Sequence, residues 1–402
     1  MTQPLHILIV GAGIGGLACA IASLKEGLQV TILEKADSLA PIGAGIQIPP
    51  NASRIWSQYG LLDRLKEVSV VSRATQLRRW ETGEVLVIHR ADYQRVLVEE
   101  AKRLGVRLRL DAEVVDVDFD GTKVVLKDGK EIRGDVIVGA DGSWSTLRSH
   151  LLGHDSPPQE TGDLAYRGTF SREALLALRD SGVNELCEQN IVTMWIGPES
   201  HAVFYPVRSS NEFNLVMTRP DDLPPNIKTK VGDLEELKAI FEGWDLILTK
   251  ILSAFSSNNF ALLGDACHPS LPYQAQGAAL AVEDGAIIAT LLSLYQKAAS
   301  LTSTRIPTLP ETLQLYEEIQ KTRTTTLHLG SISNQKMYHL DDGPEQEERD
   351  RILKAATWVE RPEGKAEPFL WIDYSYQYEM LSRDAIGDAR RKWVDRVQGC
   401  RE

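Results

Sequence analysis

The chain has 402 residues and a formal net charge of −12, with 43% hydrophobic and 25% charged side chains, which describes an ordered globular protein long enough for two domains or one elaborated architecture. No long Lys/Arg block occurs, since RRKWVDR near the end is short and interrupted, and this argues against a nucleic-acid partner. The four cysteines are scattered without a paired spacing, so free thiols in a reducing compartment are expected, with no metal and no dithiol centre.

HILIV, starting at His6, predicts a buried strand that leaves no room before it for a secretory signal. No apolar run is expected to reach the roughly 20 residues of a membrane span, so neither a transmembrane segment nor a location outside the cytoplasm is expected. The stretch ILIVGAGIGGLACAIASLKEGLQVTILEK then carries a strand, Gly11, Gly13 and Gly16 at dinucleotide-fingerprint spacing, a helix, and a second strand ending at Glu34. Gly11 permits the tight turn, Gly13 lets the backbone approach a pyrophosphate, and Gly16 packs the helix on the sheet with its N-terminal amides facing the phosphates. Glu34 is placed to accept hydrogen bonds from a ribose diol, which disfavours a 2′-phosphate and leaves NAD or the adenosine half of FAD.

PIGAGIQIPPNA (residues 41–52) reads as a second glycine-rich loop, with Ala44, Gly45 and Gln47 as candidate contacts of an extended ligand. TQLRRWETGEVLVI (75–88) reads as a hairpin around its Thr-Gly turn. IHRADYQRVL places Arg90 at a helix start, where a surface ion pair is the alternative to a ligand contact. GDVIVGADGSWSTLR (134–148) repeats the pattern of buried strand, turn and helix start, with Asp141 and Gly142 in the turn.

DLAYRGTF, NIVTMWIG, HAVFYPVRS and NEFNLVMTR, between residues 163 and 219, predict a meander of short antiparallel strands. Arg167 alternates there with Ala165 and Thr169, a lone cation among small residues that leave space for a ligand, and Tyr205 shares its face with Val203 and Val207. A cross-strand ion pair and a core tyrosine are the alternatives. FALLGDACHP (260–269) gives a third strand and turn, with Asp265 in the turn and His268 read as structural, and continues into LPYQAQGAAL with Gly277 and Ala278. A parallel sheet binds ligands at the carboxyl ends of its strands, so three such turns from remote parts of the chain can converge on one long molecule. Residues 311–402 read as mostly helical, without a site of their own.

The fingerprint closed by Glu34, the DG pair of GADGSWSTLR and the GD pair of LLGDACHPSLPYQAQGAALAVEDG together resemble the marks of the FAD-dependent aromatic hydroxylases, the salicylate hydroxylase-like flavoprotein monooxygenases. The resemblance runs from His6 to about Tyr378. It implies an α/β fold: a Rossmann-like FAD-binding parallel sheet, an inserted antiparallel substrate-binding sheet and a helical C-terminal region. The FAD-binding domain would comprise residues 1–70, 89–160 and 258–300, the substrate sheet 71–88 and 161–257, and the helical region 301–402.

By the same resemblance Asp265 holds the ribityl or phosphate portion of FAD, the backbone of Gly277 and Ala278 lies against the isoalloxazine, and Arg90 sits near the pyrophosphate and flavin. Arg167 and Tyr205 would hold the oxygen of a small aromatic substrate, with O2 as co-substrate and NAD(P)H as a transient reductant. The chain has no second GxGxxG for a separate nicotinamide domain. A flavin-dependent oxidase or dehydrogenase is one alternative. A catalytically impaired flavin-binding paralogue is the other, because only 18 residues separate Asp245 from Gly264, where relatives usually place a further strand of the substrate sheet. Its loss would leave a sheet edge and one pocket wall open.

Overall fold

The computed structural model describes residues 3–39, 45–72, 74–75, 86–119, 121–142, 145–155, 163–197, 199–220, 241, 244–253, 272–299, 306–341, 343–355 and 369–399. The chain enters through β1 (His6–Val10), turns at Gly11 into α1 (Ile14–Lys25) and returns along β2 (Gln29–Leu33). It continues through β3 (Gly45–Ile48), α2 (Pro50–Gln58), α3 (Leu62–Glu67), β4 (Ser69–Val71), β5 (Ala74–Thr75) and β6 (Leu86–His89) to α4 (Arg90–Arg103) and β7 (Arg107–Arg109). A small antiparallel sheet of β8 (Val114–Asp118), β9 (Lys123–Leu126) and β10 (Glu131–Arg133) precedes β11 (Val136–Gly139) and α5 (Thr146–Leu152).

β1 is the centre of a parallel sheet in the order β11-β1-β2-β7. Its Ile7, Leu8 and Ile9 are fully buried, the uninterrupted apolar run that a strand covered on both faces requires. The expected α/β architecture with a parallel nucleotide-type sheet is therefore present. The stretch 41–52, read as a loop, departs from expectation: β3 and the start of α2 occupy its described part, because residues 45–48 find a strand partner in β6, with Gly45 opposite His89. The ends of the expected hairpin at 75–88 enter different sheets, β5 beside β13 (Ile191–Gly197) and β6 between β3 and β4, and its turn lies outside the described residues.

The second large sheet contains β12 (Asp163–Ser171), β13, β14 (Ser200–Val207) and β15 (Glu212–Pro220) in the order β12-β15-β14-β13-β5, antiparallel except for the β13–β5 pair. The expected meander is interrupted. Two short helices, α6 (Arg172–Leu176) and α7 (Ser181–Glu188), separate β12 from β13, so β12 pairs with β15 instead. Their starts are written in Ser171, whose hydroxyl accepts from Ala174 N, and Asp180, whose carboxylate accepts from the amides of Gly182 and Val183. One face of the sheet buries Phe204, Phe213, Leu215 and Met217 against these helices and α8 (Leu246–Ser253).

Helix α9 (Gly277–Ala299) leads into the C-terminal region, whose described residues are mostly helical, as expected: α10 (Leu309–Tyr338), α11 (Pro344–Ala355), α12 (Tyr374–Ser382) and α13 (Ala385–Gly399). By length and composition α9 could cross a membrane, contrary to the expectation that no such run exists. Its most apolar window is 78% buried inside the protein, which is the environment of a core helix. Glu283, fully buried in α9, accepts from Arg323 Nε and Nη2 at 2.7 Å each, from Arg383 Nη1 at 3.0 Å and from Asn51 Nδ2 at 2.7 Å, tying α9 to α2, α10 and the link between the last two helices.

Candidate active site

The fingerprint glycines separate into two kinds. Gly11 has φ of +106°, and a Cβ on it would lie 2.2 Å from Ala140 O at the end of β11, while a Cβ on Gly16 would lie 2.1 Å from Gly11 O. Packing alone excludes side chains at both positions. Among the described residues a Cβ on Gly13 would meet nothing within 4 Å, and no side chain caps α1 at that residue. Packing therefore gives no reason for Gly13, whereas an approaching pyrophosphate does, because it needs bare backbone and uncapped amides.

Glu34 follows β2 directly. Its Oε2 accepts from Ala12 N at 2.7 Å and its Oε1 from Ala36 N at 3.0 Å, so the carboxylate staples the fingerprint turn to the end of β2 while each oxygen retains lone-pair capacity for a ribose. Gln94 of α4, which the sequence reading missed, donates to Ala12 O at 2.9 Å from the other side. Asp141 accepts from Ser145 Oγ at 2.6 Å and from Leu147 N at 3.2 Å, a cap for α5 that also fixes the turn beside Gly11. These residues fit FAD: an open glycine, uncapped amides and an acid lie together at the carboxyl end of the parallel sheet.

A second cluster joins the two sheets. Gly45 N donates to the buried Asn214 Oδ1 at 2.9 Å, and a Cβ on Gly45 would lie 2.5 Å from Cε2 of the Tyr205 ring. Tyr205 is buried with Val70, Val192 and Val207. Arg90 opens α4 directly after His89, the backbone partner of Gly45, and Gln47 follows in the same strand. Gly45, Gln47, Arg90 and Tyr205 are thus brought to one seam. Ala44 and Asp265 lie outside the described residues, as do His268 and the side chain of Arg167. The Arg167 backbone is opposite Val216, which is opposite Val203, so its row adjoins that of Tyr205 and Asn214. Gly277 and Ala278 begin α9, and Gly15 of α1 faces Ala281 one turn later, which sets that helix start beside the fingerprint.

The sequence reading missed a third cluster. His201, two rows from Tyr205 on β14 and 3% exposed, has its Nδ1 3.1 Å from Nε2 of His339 and its Nε2 2.9 Å from Thr218 Oγ1. The rings of Tyr273 and Tyr338 lie 5.0 and 5.4 Å from it, centroid to centroid. Strand alternation from Tyr205 could have placed His201 on the same face, but two of its partners, Tyr338 and His339, come from the C-terminal region. Burial, with His339 adding in the same direction, pushes the His201 pKa from its ordinary 6.5 down to about 3.

The folded ring thus binds its proton more weakly than the unfolded one, so its contribution to stability is full above pH 6.5 and is lost as pH falls from there toward 3. His201→Gln is expected to reduce this acid loss, which a single ring sets at up to about 1.4 kcal/mol per pH unit. Urea midpoints measured at neutral and mildly acidic pH check it. His6 and His89, also lowered mainly by burial, leave a residual slope.

Comparison with known proteins agrees with this geometry. Residues 5–302 match the FAD binding domain family. FAD-dependent monooxygenase OpS4 of Beauveria bassiana (strain ARSEF 2860) is 36% identical, covering 96% of this chain and 99% of that protein. 3-amino-4-hydroxybenzoate 2-monooxygenase PtmB3 of Streptomyces platensis is 31% identical over 87% of this chain and 93% of its own length. Among solved structures, a salicylate hydroxylase substrate complex superposes with a TM-score of 0.73 at 23% identity, covering 97% of this chain and 98% of that one, which shows a shared fold. The chain belongs to the FAD binding domain family and is homologous to the FAD-dependent monooxygenases.

Proposed function

We propose that this chain is an FAD-dependent NAD(P)H monooxygenase that hydroxylates a phenolic or other electron-rich aromatic substrate, in secondary metabolism or aromatic catabolism. The observation that carries the reading is the open backbone at Gly13 beside Glu34, in a chain matched along nearly its whole length by an FAD-dependent monooxygenase. The aromatic substrate class is supported by the name of PtmB3, a hydroxybenzoate monooxygenase.

The α1 amides and Glu34 would hold the pyrophosphate and ribose, Asp141 and Asp265 would support the phosphate side, and Ala44, Gly45, Gln47, Arg90, Gly277 and Ala278 would border the flavin. FAD, when bound, would supply the redox chemistry, in which two electrons from NAD(P)H and a proton reduce one atom of O2 to water while the other enters the substrate ring. Arg167 would offset the charge of a phenolate in a site shielded from water, and Tyr205 would orient the phenolic oxygen. His201, held neutral by its burial, adds a polar group to the same sheet face.

Arg167→Gln is expected to leave FAD binding intact and to cut turnover roughly a hundredfold or more, because a neutral amide cannot offset phenolate charge. Tyr205→Phe keeps the ring against Gly45, loses one hydrogen bond and should cost only about five-fold. Wild-type turnover in Arg167→Gln with every accepted substrate would return Arg167 to a structural role. The reading as a whole is tested by screening purified holoprotein for NAD(P)H oxidation stimulated by a panel of phenols, with mass analysis of products. Flavin bleached by substrate without NAD(P)H would instead indicate an oxidase or dehydrogenase.

One observation favours a second reading, a poorly coupled enzyme. The alignment with OpS4 runs over 434 positions, more than the 402 residues of this chain, so that relative carries internal residues without a counterpart here. Among the described residues β12 has a strand on one side only. Water admitted at an incomplete pocket wall would divert reducing equivalents into hydrogen peroxide. Peroxide released per NAD(P)H consumed measures this.

A further inference from the structure

The turn that leads into α9 is held from outside by the C-terminal region. Tyr273 O accepts from Asn334 Nδ2 of α10 at 3.2 Å and from Trp371 Nε1 at 3.0 Å. The side chain of Gln274, 1% exposed, is hydrogen-bonded to the Tyr376 hydroxyl of α12, with Nε2 donating at 2.7 Å. Gln276 Oε1 accepts from Asn51 Nδ2 at 3.0 Å. Between these anchors Ala275 has φ of +53°, a left-handed conformation that residues with a Cβ avoid unless their surroundings impose it. Helix α10 is shaped for the contact: a Cβ on Gly330 would lie 2.2 Å from the Tyr376 hydroxyl and 2.5 Å from Gln274 Nε2.

We propose that Tyr376, Trp371 and Asn334 are positioning residues for the flavin: they clamp residues 273–276 so that the backbone of Gly277 and Ala278 is presented in the shape the cofactor needs. The proposal rests on the FAD reading above and adds to it a duty for α10, α12 and the Trp371 turn before α12. Strain at Ala275 is what makes the clamp necessary, because without it the turn relaxes out of the left-handed region and withdraws the start of α9 from the flavin.

The test uses the full chain, stripped of flavin and titrated with FAD by fluorescence quenching, with the absorption spectrum of the bound flavin recorded alongside. Tyr376→Phe removes one hydroxyl at nearly constant volume and should raise the FAD dissociation constant roughly five-fold, the effect of one hydrogen bond, with shifted flavin absorption bands. Ala275→Gly relieves the strain, so in the Tyr376→Phe background it should return the affinity and the spectrum most of the way to wild type. Trp371→Phe, which deletes the donor to Tyr273 O and some packing volume while retaining an aromatic ring, is the second probe should Tyr376→Phe fold poorly, and it should act in the same direction. Unchanged affinity and spectrum in these variants, with only a lower melting temperature of the flavin-free protein, would overturn the proposal and leave the FAD reading standing. Wild-type protein that takes up no FAD would overturn both.

Discussion

Glu34→Ala is expected to strip FAD from the protein, lowering affinity roughly ten- to a hundredfold. Two losses add in the same direction. The carboxylate is the acceptor offered to the ribose, and it is also the staple that takes the Ala12 and Ala36 amides at 2.7 and 3.0 Å, so its removal loosens the turn that must face the pyrophosphate. Glu34→Gln retains one carbonyl oxygen and should fall between wild type and Glu34→Ala. The check is flavin content after dialysis followed by titration with FAD. Full flavin retention in Glu34→Ala would mean that the open glycine beside it serves some other ligand.

Glu283→Ala should have the largest effect on stability, about 3–5 kcal/mol. The carboxylate is fully buried and is shared by Arg323 and Arg383, each with only 11% of its side chain exposed, and by Asn51. Deleting it strands two guanidinium groups at a junction of four helices, with Asp388 as a further acid on Arg383 and Asp284 engaged with Gln320. Glu283→Gln keeps the shape and some hydrogen bonds but not the charge, so it should cost less than Ala and still more than a surface substitution. Chemical denaturation of the flavin-free proteins gives the comparison without interference from cofactor linkage. A loss below about 1 kcal/mol for Glu283→Ala would show that the arginines find solvent readily and that the junction is looser than its geometry indicates.

Legibility of the fold in the sequence follows the distance between partners. The run from β1 to Glu34 was readable because its constraints are local: apolar residues of one strand, glycines two and three positions apart, and an acid closing the next strand. The stretch 41–52 was not, because β3 exists through pairing with β6, whose His89 lies far along the chain from Gly45. Helices α6 and α7 were hidden for a different reason: at five and eight residues they are too short to show periodicity, and only Ser171 and Asp180 mark where they begin. In the site, Glu34 and the glycines could be chosen from spacing alone. Gln94, Asn214 and His201 could not, since nothing in their own surroundings announces a role until Ala12, Gly45 and His339 are brought to them from 82, 169 and 138 positions away. Tyr205 was readable as an inward-facing tyrosine, and its contact with the glycine-rich segment ties the two sheets together.

The most direct measurement supplies isotopically labelled dioxygen to the FAD-loaded protein with NAD(P)H and the phenol that most stimulates NAD(P)H oxidation, and follows product mass. Aromatic hydroxylation by this chain requires one labelled oxygen atom per product molecule, with NAD(P)H consumed in step. Product formed without label, or NAD(P)H oxidation that no aromatic compound stimulates, would contradict it.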